Sequence, residues 1–403
     1  MTNYLIVGNG AAGTTAAEEI RKHDPSGRIR ILTEEGLPFY SRIRLPEFIA
    51  GEMKEDQLPI KKESWYRDMG IDLTLNTRIV KADGDSRTLM DSRGNRFGYD
   101  VLLVATGSHS FLPPIKGIDK KAVFSLRSVD DARKIKVQAQ AIDEVVLIGG
   151  GLLGLESGNA LRKLGKKVTV VEFFPRLLPR QLDGPGAERL KARMEGMGFS
   201  FRLGAKTAEI TGKGSVDGVL LEGGDLLPCG MVIISAGVRP NMELAQLLSL
   251  DADKGIKVNG RMQTSAPDVY AAGDVAEYDG KPPYGIWPAA TDQGKIAGAN
   301  MAGRSLIYHG TTMSNKLKVV GIELASAGNI DAEGLLEKKD RVDENIYQKI
   351  VFEGGKIAGC IMLGKTTGFN QIVKAMSEQR DVSSVKKDIL SDDFDFKTLQ
   401  AGK

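Results

Sequence analysis

The chain has 403 residues, 41% of them hydrophobic and 27% charged, an ordinary globular mix that excludes global disorder and a membrane-embedded class. Lys and Arg number 55 against 52 Asp and Glu, for a formal charge of +3, and with no long run of one sign the sequence offers nucleic acid no electrostatic track. At roughly 150 residues per domain the length predicts two to three domains.

In chain order, the first predicted element is an apolar strand over Tyr4 to Val7. Gly8, Gly10 and Gly13 follow, then a helix from Thr14 to Lys22 with small and apolar residues at helical spacing, and a second strand from Ile29 that runs out at Glu34. No basic stretch or cleavage site precedes the first strand, so no secretory signal is expected. No apolar run approaches the ~18 residues a membrane helix needs, and a soluble protein is expected. Arg78 to Val104 is β-rich with Gly and Asp turns. The opening grammar then returns: a strand over Glu144 to Ile148, Gly149, Gly151 and Gly154, a helix through Leu164 stopped by Gly165, and a strand from Lys167 ending at Glu172. This is an internal repeat of one unit. A second β-rich stretch, Gly214 to Leu227, sits behind the repeat as Arg78 to Val104 sits behind the original.

After about residue 312 the texture changes. Leu317 to Val320, Tyr347 to Phe352 and Lys356 to Leu363 read as strands and Asn370 to Glu378 as a helix, which predicts a separate C-terminal α+β domain. Val382 to Lys403 mixes charge with Ile389, Leu390, Phe394 and Phe396 and reads as a docking tail or, as is commoner, a frayed end. The two cysteines, Cys229 and Cys360, are far apart, which excludes a disulfide scaffold and a Cys-x-x-Cys motif and fits a reducing cytoplasm. Both read as small buried core residues. His23, His109 and His309 show no ligand spacing, so no metal site is predicted. No Gly-x-Ser-x-Gly or Ser/His/Asp arrangement supports covalent hydrolysis.

A glycine turn between strand and helix lets backbone N–H groups at the helix N-terminus face a pyrophosphate, because Gly10 and Gly151 carry no Cβ to block its approach. Gly13 and Gly154 let helix and strand pack closely. An acid at the end of the second strand can bind the adenosine ribose hydroxyls, and the two candidates are Glu34 and Glu172. One such motif also fits a glycine-rich turn of any α/β sheet; two copies, each with its strand, helix and acid, predict two bound dinucleotides.

These residues resemble the two-dinucleotide flavoprotein reductases of the pyridine nucleotide-disulfide oxidoreductase superfamily, in which FAD occupies the first unit and NAD(P)H the second. Leu102 to Gly107, with Thr106 and Gly107, looks like the strand-to-turn motif where the chain leaves the FAD domain, and Ile234 to Asn241, with Gly237, like its counterpart leaving the NAD domain. Thr264 to Asp274 resembles the second FAD motif, in which Gly273 and Asp274 meet the cofactor and Asp274 accepts hydrogen bonds from the ribityl chain. Trp287 to Gly294 resembles the start of the helix whose positive end faces the flavin pyrimidine. The resemblance implies an α/β fold with two Rossmann-like domains and a C-terminal α+β domain. A discontinuous FAD domain would span 1–111 and 242–312, an NADH domain 112–241 and an interface domain 313–403. It further implies that Gly8, Gly10, Gly13 and Glu34 hold FAD and that the backbone near Ile79 touches the adenine.

Relatives of the disulfide-reducing kind carry cysteines in the first nucleotide domain; here Leu37 to Glu47 holds none. Electrons would therefore leave directly from the flavin, the logic of a reductase for one-electron carriers. The run Tyr40, Arg42, Arg44, Leu45 looks most like the rubredoxin reductases and the flavin domain of NADH-dependent nitrite reductases. In related ferredoxin reductases a Lys near the flavin pairs with a Glu of the second nucleotide helix. Glu156 matches that Glu, but Glu47 stands where the Lys would be, and Arg44 is the expected positive partner. Arg42 is expected near the FAD pyrophosphate or flavin edge, against the plainer reading of Arg42 and Arg44 as surface salt bridges. Glu172 favours NADH over NADPH, since a carboxylate there repels the extra phosphate. Arg176 and Arg180 lie close enough in sequence to bear on that choice, though solvated charge is their plainer reading.

The expected function is an NADH:rubredoxin-type oxidoreductase using FAD and NADH, with a small electron-carrier protein as partner. Its rivals are an NADH oxidase or flavin subunit of a larger complex, and a redox-sensing interaction protein. The C-terminal domain is the expected place for a homodimer contact or a carrier dock.

Overall fold

The computed structural model describes residues 1–331 and 333–400. They form two compact units. The first comprises Met1–Leu45, Met53–Ser110 and Val238–Thr311, the second Pro46–Glu52, Phe111–Gly237 and 312–400. The crossings at 110 and 237 have a local cause: Ser108–Ser110 pairs antiparallel with Val238–Pro240, which keeps both strands in the first unit. The second unit contains three separate sheets, and residues 112–237 fall in it together with the C-terminal portion.

The first unit is built on a parallel sheet in the order Val269–Ala271, Val101–Val104, Asn3–Val7, Arg28–Leu32, Ile71–Thr74. Strands covered on both faces read as continuous apolar runs, and Tyr4 to Val7 and Leu102 to Val104 are buried throughout. The helix Ala11–His23 follows the central strand and packs on the helix Trp287–Met301. Their approach is close because Gly294 and Gly298, one helical turn apart, face the backbone of Ala12 and Ala16; a Cβ on either glycine would strike that backbone. Burying Ile6, Ile20 and Ile31 in the same cluster stabilises the unit by about 1.5–3 kcal/mol for each side chain.

The second unit repeats this plan. Its parallel sheet runs Phe199–Leu203, Lys167–Glu172, Glu144–Ile148, Met231–Ile234, Val123–Ser125. In each unit the β-rich stretch after the repeat folds into a small antiparallel sheet, Ile79–Asp83 with Thr88–Asp91 and Arg96–Gly98, and Thr207–Thr211 with Gly218–Leu221 and Leu226–Pro228.

The C-terminal part is an antiparallel sheet ordered Ser314–Val319, Ile322–Gly328, Lys356–Leu363, Tyr347–Glu353, Glu337–Val342, with the helix Phe369–Ser377. The segment after that helix is neither a docking tail nor frayed through residue 400. Val382, Ile389, Leu390 and Leu399 are buried in one cluster with Phe369, Ile372 and Phe352, and Phe394 and Phe396 pack against it. The apolar residues in that charged stretch close the core of a sheet that a single nine-residue helix leaves incompletely covered. Residues 401–403 lie outside the described residues. A buried ion pair ties this sheet to the nucleotide-type portion of the same unit. Lys349 Nζ lies 3.2 Å from Asp183 Oδ2, which also accepts from Tyr347 OH at 2.7 Å, while Asp183 Oδ1 caps the helix Gly184–Gly196 through the Gly186 N–H.

Candidate functional site

The first glycine turn is shaped by backbone demands. Gly8 has φ 115° and its N–H donates to Leu32 O at 2.8 Å; a Cβ there would run into the carbonyl of Ala105. Gly10 caps the helix Ala11–His23, with no atom within 4 Å of where its Cβ would point. That open side, at a helix N-terminus with unpaired N–H groups, is the space a pyrophosphate requires. Asn9 adds a polar group. Its side-chain oxygen accepts from Tyr66 OH at 3.0 Å and Thr14 Oγ1 at 3.2 Å, while its buried Nδ2 has no partner among the described residues. An unpaired buried donor beside that open space fits a phosphate or sugar oxygen.

The second turn has the same construction. Gly149, at φ 108°, donates to Val171 O at 2.8 Å, and its Cβ would run into Ser235 O; Gly151 caps the helix Leu152–Lys163. Gly154 lies against the Ser235 side chain. The Glu172 carboxylate is buried and held by two backbone amides, Gly150 N–H to Oε2 at 2.6 Å and Phe174 N–H to Oε1 at 2.8 Å. Two such hydrogen bonds fix the carboxylate inside the turn, and each oxygen keeps lone pairs for a ribose hydroxyl. Phe173 and Phe174 stand exposed beside it as an edge-to-face pair, ring centroids 5.5 Å apart. Arg176 turns back onto the carbonyls of Pro179 and Leu182.

Strand register shows which residue of the first unit matches Glu172. Val7 pairs with Leu32 as Ile148 pairs with Val171, so the counterpart of Glu172 is Thr33, one residue before Glu34. Thr33 is buried and Glu34 exposed. The next residue, Glu35, accepts from Tyr40 OH and from Arg42, whose guanidinium lies near the Tyr40 ring. Thr33 and Glu35 had no place in the sequence reading; counting residues from the apolar strand gives Thr33 as the match to Glu172.

Of the remaining residues expected at FAD, Thr106 lies beside Gly8 and Gly273 beside Ala12 of the first turn. The Thr106 carbonyl accepts from Asn241 Nδ2 at 2.7 Å, Gly107 turns the chain at φ 69°, and Ser108 Oγ donates to Asp274 at 2.8 Å. Gly273 N–H donates to the buried Gln293 Oε1 at 2.8 Å, which ties the Asp274 turn to the helix Trp287–Met301. Gln293 had no role in the sequence reading. Trp287 opens that helix, half-exposed, with Phe39 at 5.4 Å. Ile79 begins the small antiparallel sheet and packs against the core beneath the main one. Arg44 is exposed on the short turn Arg42–Arg44. In the second unit Gly237 turns the chain at φ 95° just beyond the strand Met231–Ile234.

Glu156 lies on the helix that opens at Gly151. Burial pushes its carboxyl above the usual carboxylate range; the Val320 N–H, donating to Oε1 at 2.6 Å, pulls it back, as does Lys163, and Glu47 and Glu52 push it up. The cation acting on Glu156 within its own unit is thus Lys163, two helical turns along, which also holds Glu52 at 2.6 Å.

Residues 2–294 match the pyridine nucleotide-disulphide oxidoreductase family. The chain belongs to that family. Residues 314–380 match the rubredoxin NAD+ reductase C-terminal domain. Among its relatives, the assimilatory nitrate reductase electron transfer subunit of Bacillus subtilis is 34% identical over 96% of the chain and 50% of its own length. The chain therefore spans about half of that protein. NADH-rubredoxin oxidoreductase of Clostridium acetobutylicum is 31% identical over 95% of the chain and 97% of its own length. The crystal structure of the ferredoxin reductase for the CYP199A2 system of Rhodopseudomonas palustris superposes with a TM-score of 0.90 at 26% identity, covering 99% of each chain. Among the described residues no His, Cys, Asp and Glu cluster could hold a metal, and no helix is long and apolar enough to cross a membrane.

Proposed function

We propose that this oxidoreductase takes a hydride from NADH at its second glycine turn and delivers electrons, through FAD at its first, to a small one-electron carrier protein of the rubredoxin type. The observation that carries this reading is the state of the two thiols. Cys229 and Cys360 are both buried in separate cores, and burial pushes their thiols up to about 11 and about 12. A thiol so far from ionising is a poor nucleophile, so neither serves as a relay to a disulfide substrate. FAD bound at the first turn would accept the hydride as an electron pair and release single electrons to two carrier molecules in turn.

The chain's own contribution is binding and positioning. Gly8, Gly10 and Gly13 would receive the FAD pyrophosphate, with Asn9 Nδ2 as an added donor. Asp274, fixed by Ser108 and by the Gly273 to Gln293 bond, would accept from the ribityl hydroxyls, and Arg42, oriented by Glu35, would neutralise phosphate charge. Thr33 and Glu35 are better candidates than Glu34 for the flavin-side adenosine. On the other turn Glu172 would bind the ribose hydroxyls of NADH and repel a 2′-phosphate, and Glu156 would orient the nicotinamide half. Two unpaired buried cysteines also support a reducing, cytoplasmic setting.

The test is anaerobic stopped-flow reduction of the FAD-loaded protein by NADH, followed by reoxidation with and without rubredoxin. Reoxidation many times faster with rubredoxin is the expected result. Equal rates would refute the carrier reading, and rapid oxygen consumption without any carrier would point to an oxidase instead.

A further inference from the structure

The hairpin joining Ser314–Val319 to Ile322–Gly328 has a two-residue loop, since Val319 pairs with Ile322. Both loop residues have positive φ, 46° at Val320 and 87° at Gly321. A loop of this kind favours Asn, Asp or Gly at its first position, because L-residues with branched side chains clash there. Val320 is β-branched and its side chain is buried. A residue held against its backbone preference persists only when surrounding contacts over-determine it, and such outliers gather at functional positions.

The contact here is unambiguous. The Val320 N–H donates to Glu156 Oε1 at 2.6 Å, a charge-assisted bond to a partly buried carboxylate otherwise flanked by Lys163 on its own helix and by Glu47 and Glu52 from the segment Pro46–Glu52. Lys163 is already engaged with Glu52, so the hairpin amide is the group that fixes one Glu156 oxygen. Glu156 in turn sits on the first turns of the helix capped by Gly151, whose N-terminus is the candidate coenzyme site.

We propose that the C-terminal sheet is a working part of the coenzyme site: Val320 is a positioning residue whose backbone amide holds the Glu156 carboxylate toward the nicotinamide coenzyme, so that coenzyme binding and the order of this hairpin are coupled. The inference rests on the reading of Glu156 as a coenzyme residue. Coupling between two sites is reciprocal. If the hairpin favours the coenzyme-ready Glu156, bound coenzyme must equally favour the closed hairpin.

The experiment is hydrogen exchange of the peptide containing Val320 in the FAD-loaded protein, with and without NAD+, alongside calorimetric titration with NAD+. NAD+ is expected to slow exchange at Val320 in the parent protein. Glu156→Ala is expected to speed it, to abolish its response to NAD+, and to weaken NAD+ binding roughly tenfold, the scale of one hydrogen bond to a charged group. Exchange at Val320 that ignores both NAD+ and Glu156→Ala, while Glu156→Ala still weakens NAD+ binding, would overturn the coupling and leave the coenzyme role of Glu156 standing. Faster exchange in Glu156→Ala with unchanged NAD+ affinity would remove that role, and the coupling with it.

Discussion

The two glycine turns share a backbone and differ in the acid. In both, a glycine with φ above 100° donates to a carbonyl near the end of the neighbouring strand, Leu32 or Val171, at 2.8 Å, and the helix is capped by a glycine. At the next register position the second turn carries Glu172, locked by two amides, where the first carries Thr33. The first turn instead keeps its carboxylate two residues further on, at Glu35, tied to Tyr40 and Arg42. On the proposed reading, the common backbone would cradle a pyrophosphate, and the side chain at one register position would decide what lies beyond the phosphates. A carboxylate in the turn suits ribose hydroxyls, and a carboxylate paired with arginine on a loop suits a ligand whose charge must be met by the cation.

The largest expected effect removes what only the second unit has, the buried tie between its nucleotide-type portion and the C-terminal sheet. Lys349→Met leaves Asp183 buried without its cation and should cost about 3–5 kcal/mol of unfolding free energy, read by denaturant titration. An unchanged midpoint would mean that Tyr347 OH and the Gly186 N–H suffice to satisfy Asp183.

Next is the shared backbone. Gly8→Ala and Gly149→Ala each force a Cβ into a carbonyl oxygen at a positive φ, and each should cost at least about 1–3 kcal/mol. The two should separate by ligand. Gly8→Ala is expected to purify with little flavin by absorbance, while Gly149→Ala retains flavin and loses NADH binding.

The sharpest test of the comparison itself is Glu172→Thr, which gives the second turn the residue of the first. Losing one charge-assisted contact should raise the KM for NADH roughly tenfold and narrow the preference over NADPH, measured as the ratio of kcat/KM values. A ratio unchanged from the parent would show that selectivity lies elsewhere, for example in Arg176 or Arg180.

The smallest effect concerns pH. The folded protein holds the Glu156 carboxyl above the ordinary value, so between that ordinary value and the raised one the folded state binds more protons than the unfolded state. Stability from this group is therefore full below the ordinary range and lost as pH rises through the raised value. Glu156→Gln should flatten that decline. Its melting temperature relative to the parent should rise with pH across the window, and a difference independent of pH would contradict the assignment.

Much of the fold was legible because apolar runs and glycines report backbone periodicity directly. The two strand-turn-helix units, the antiparallel stretches behind them and three of the five C-terminal strands carried their period in the residues, while Ile322–Gly328 and Glu337–Val342 were not read from it. The tail beyond Val382 did not, since alternating charge with isolated Ile, Leu and Phe has no period, and only the uncovered face of the C-terminal sheet explains why Ile389, Leu390 and Leu399 are buried. The match to Glu172 was hidden for a similar reason: the run Thr33, Glu34, Glu35 offers two acids, and only pairing with the central strand shows that Thr33 holds the matching position.

By itself, then, the sequence determined that this protein has two strand, glycine-turn and helix units, where each lies along the chain, and that no thiol stands in the loop from Leu37 to Glu47. Those properties are local, set by glycines lacking a Cβ and by residue types within a few positions of one another. Tertiary structure alone set the Glu172 carboxylate on two amides of its turn and brought Lys163 to bear on Glu156. It also decided that an amide from a hairpin 164 residues further along would hold that carboxylate. Such contacts depend on strand register and on the packing of distant segments, which no spacing along the chain encodes.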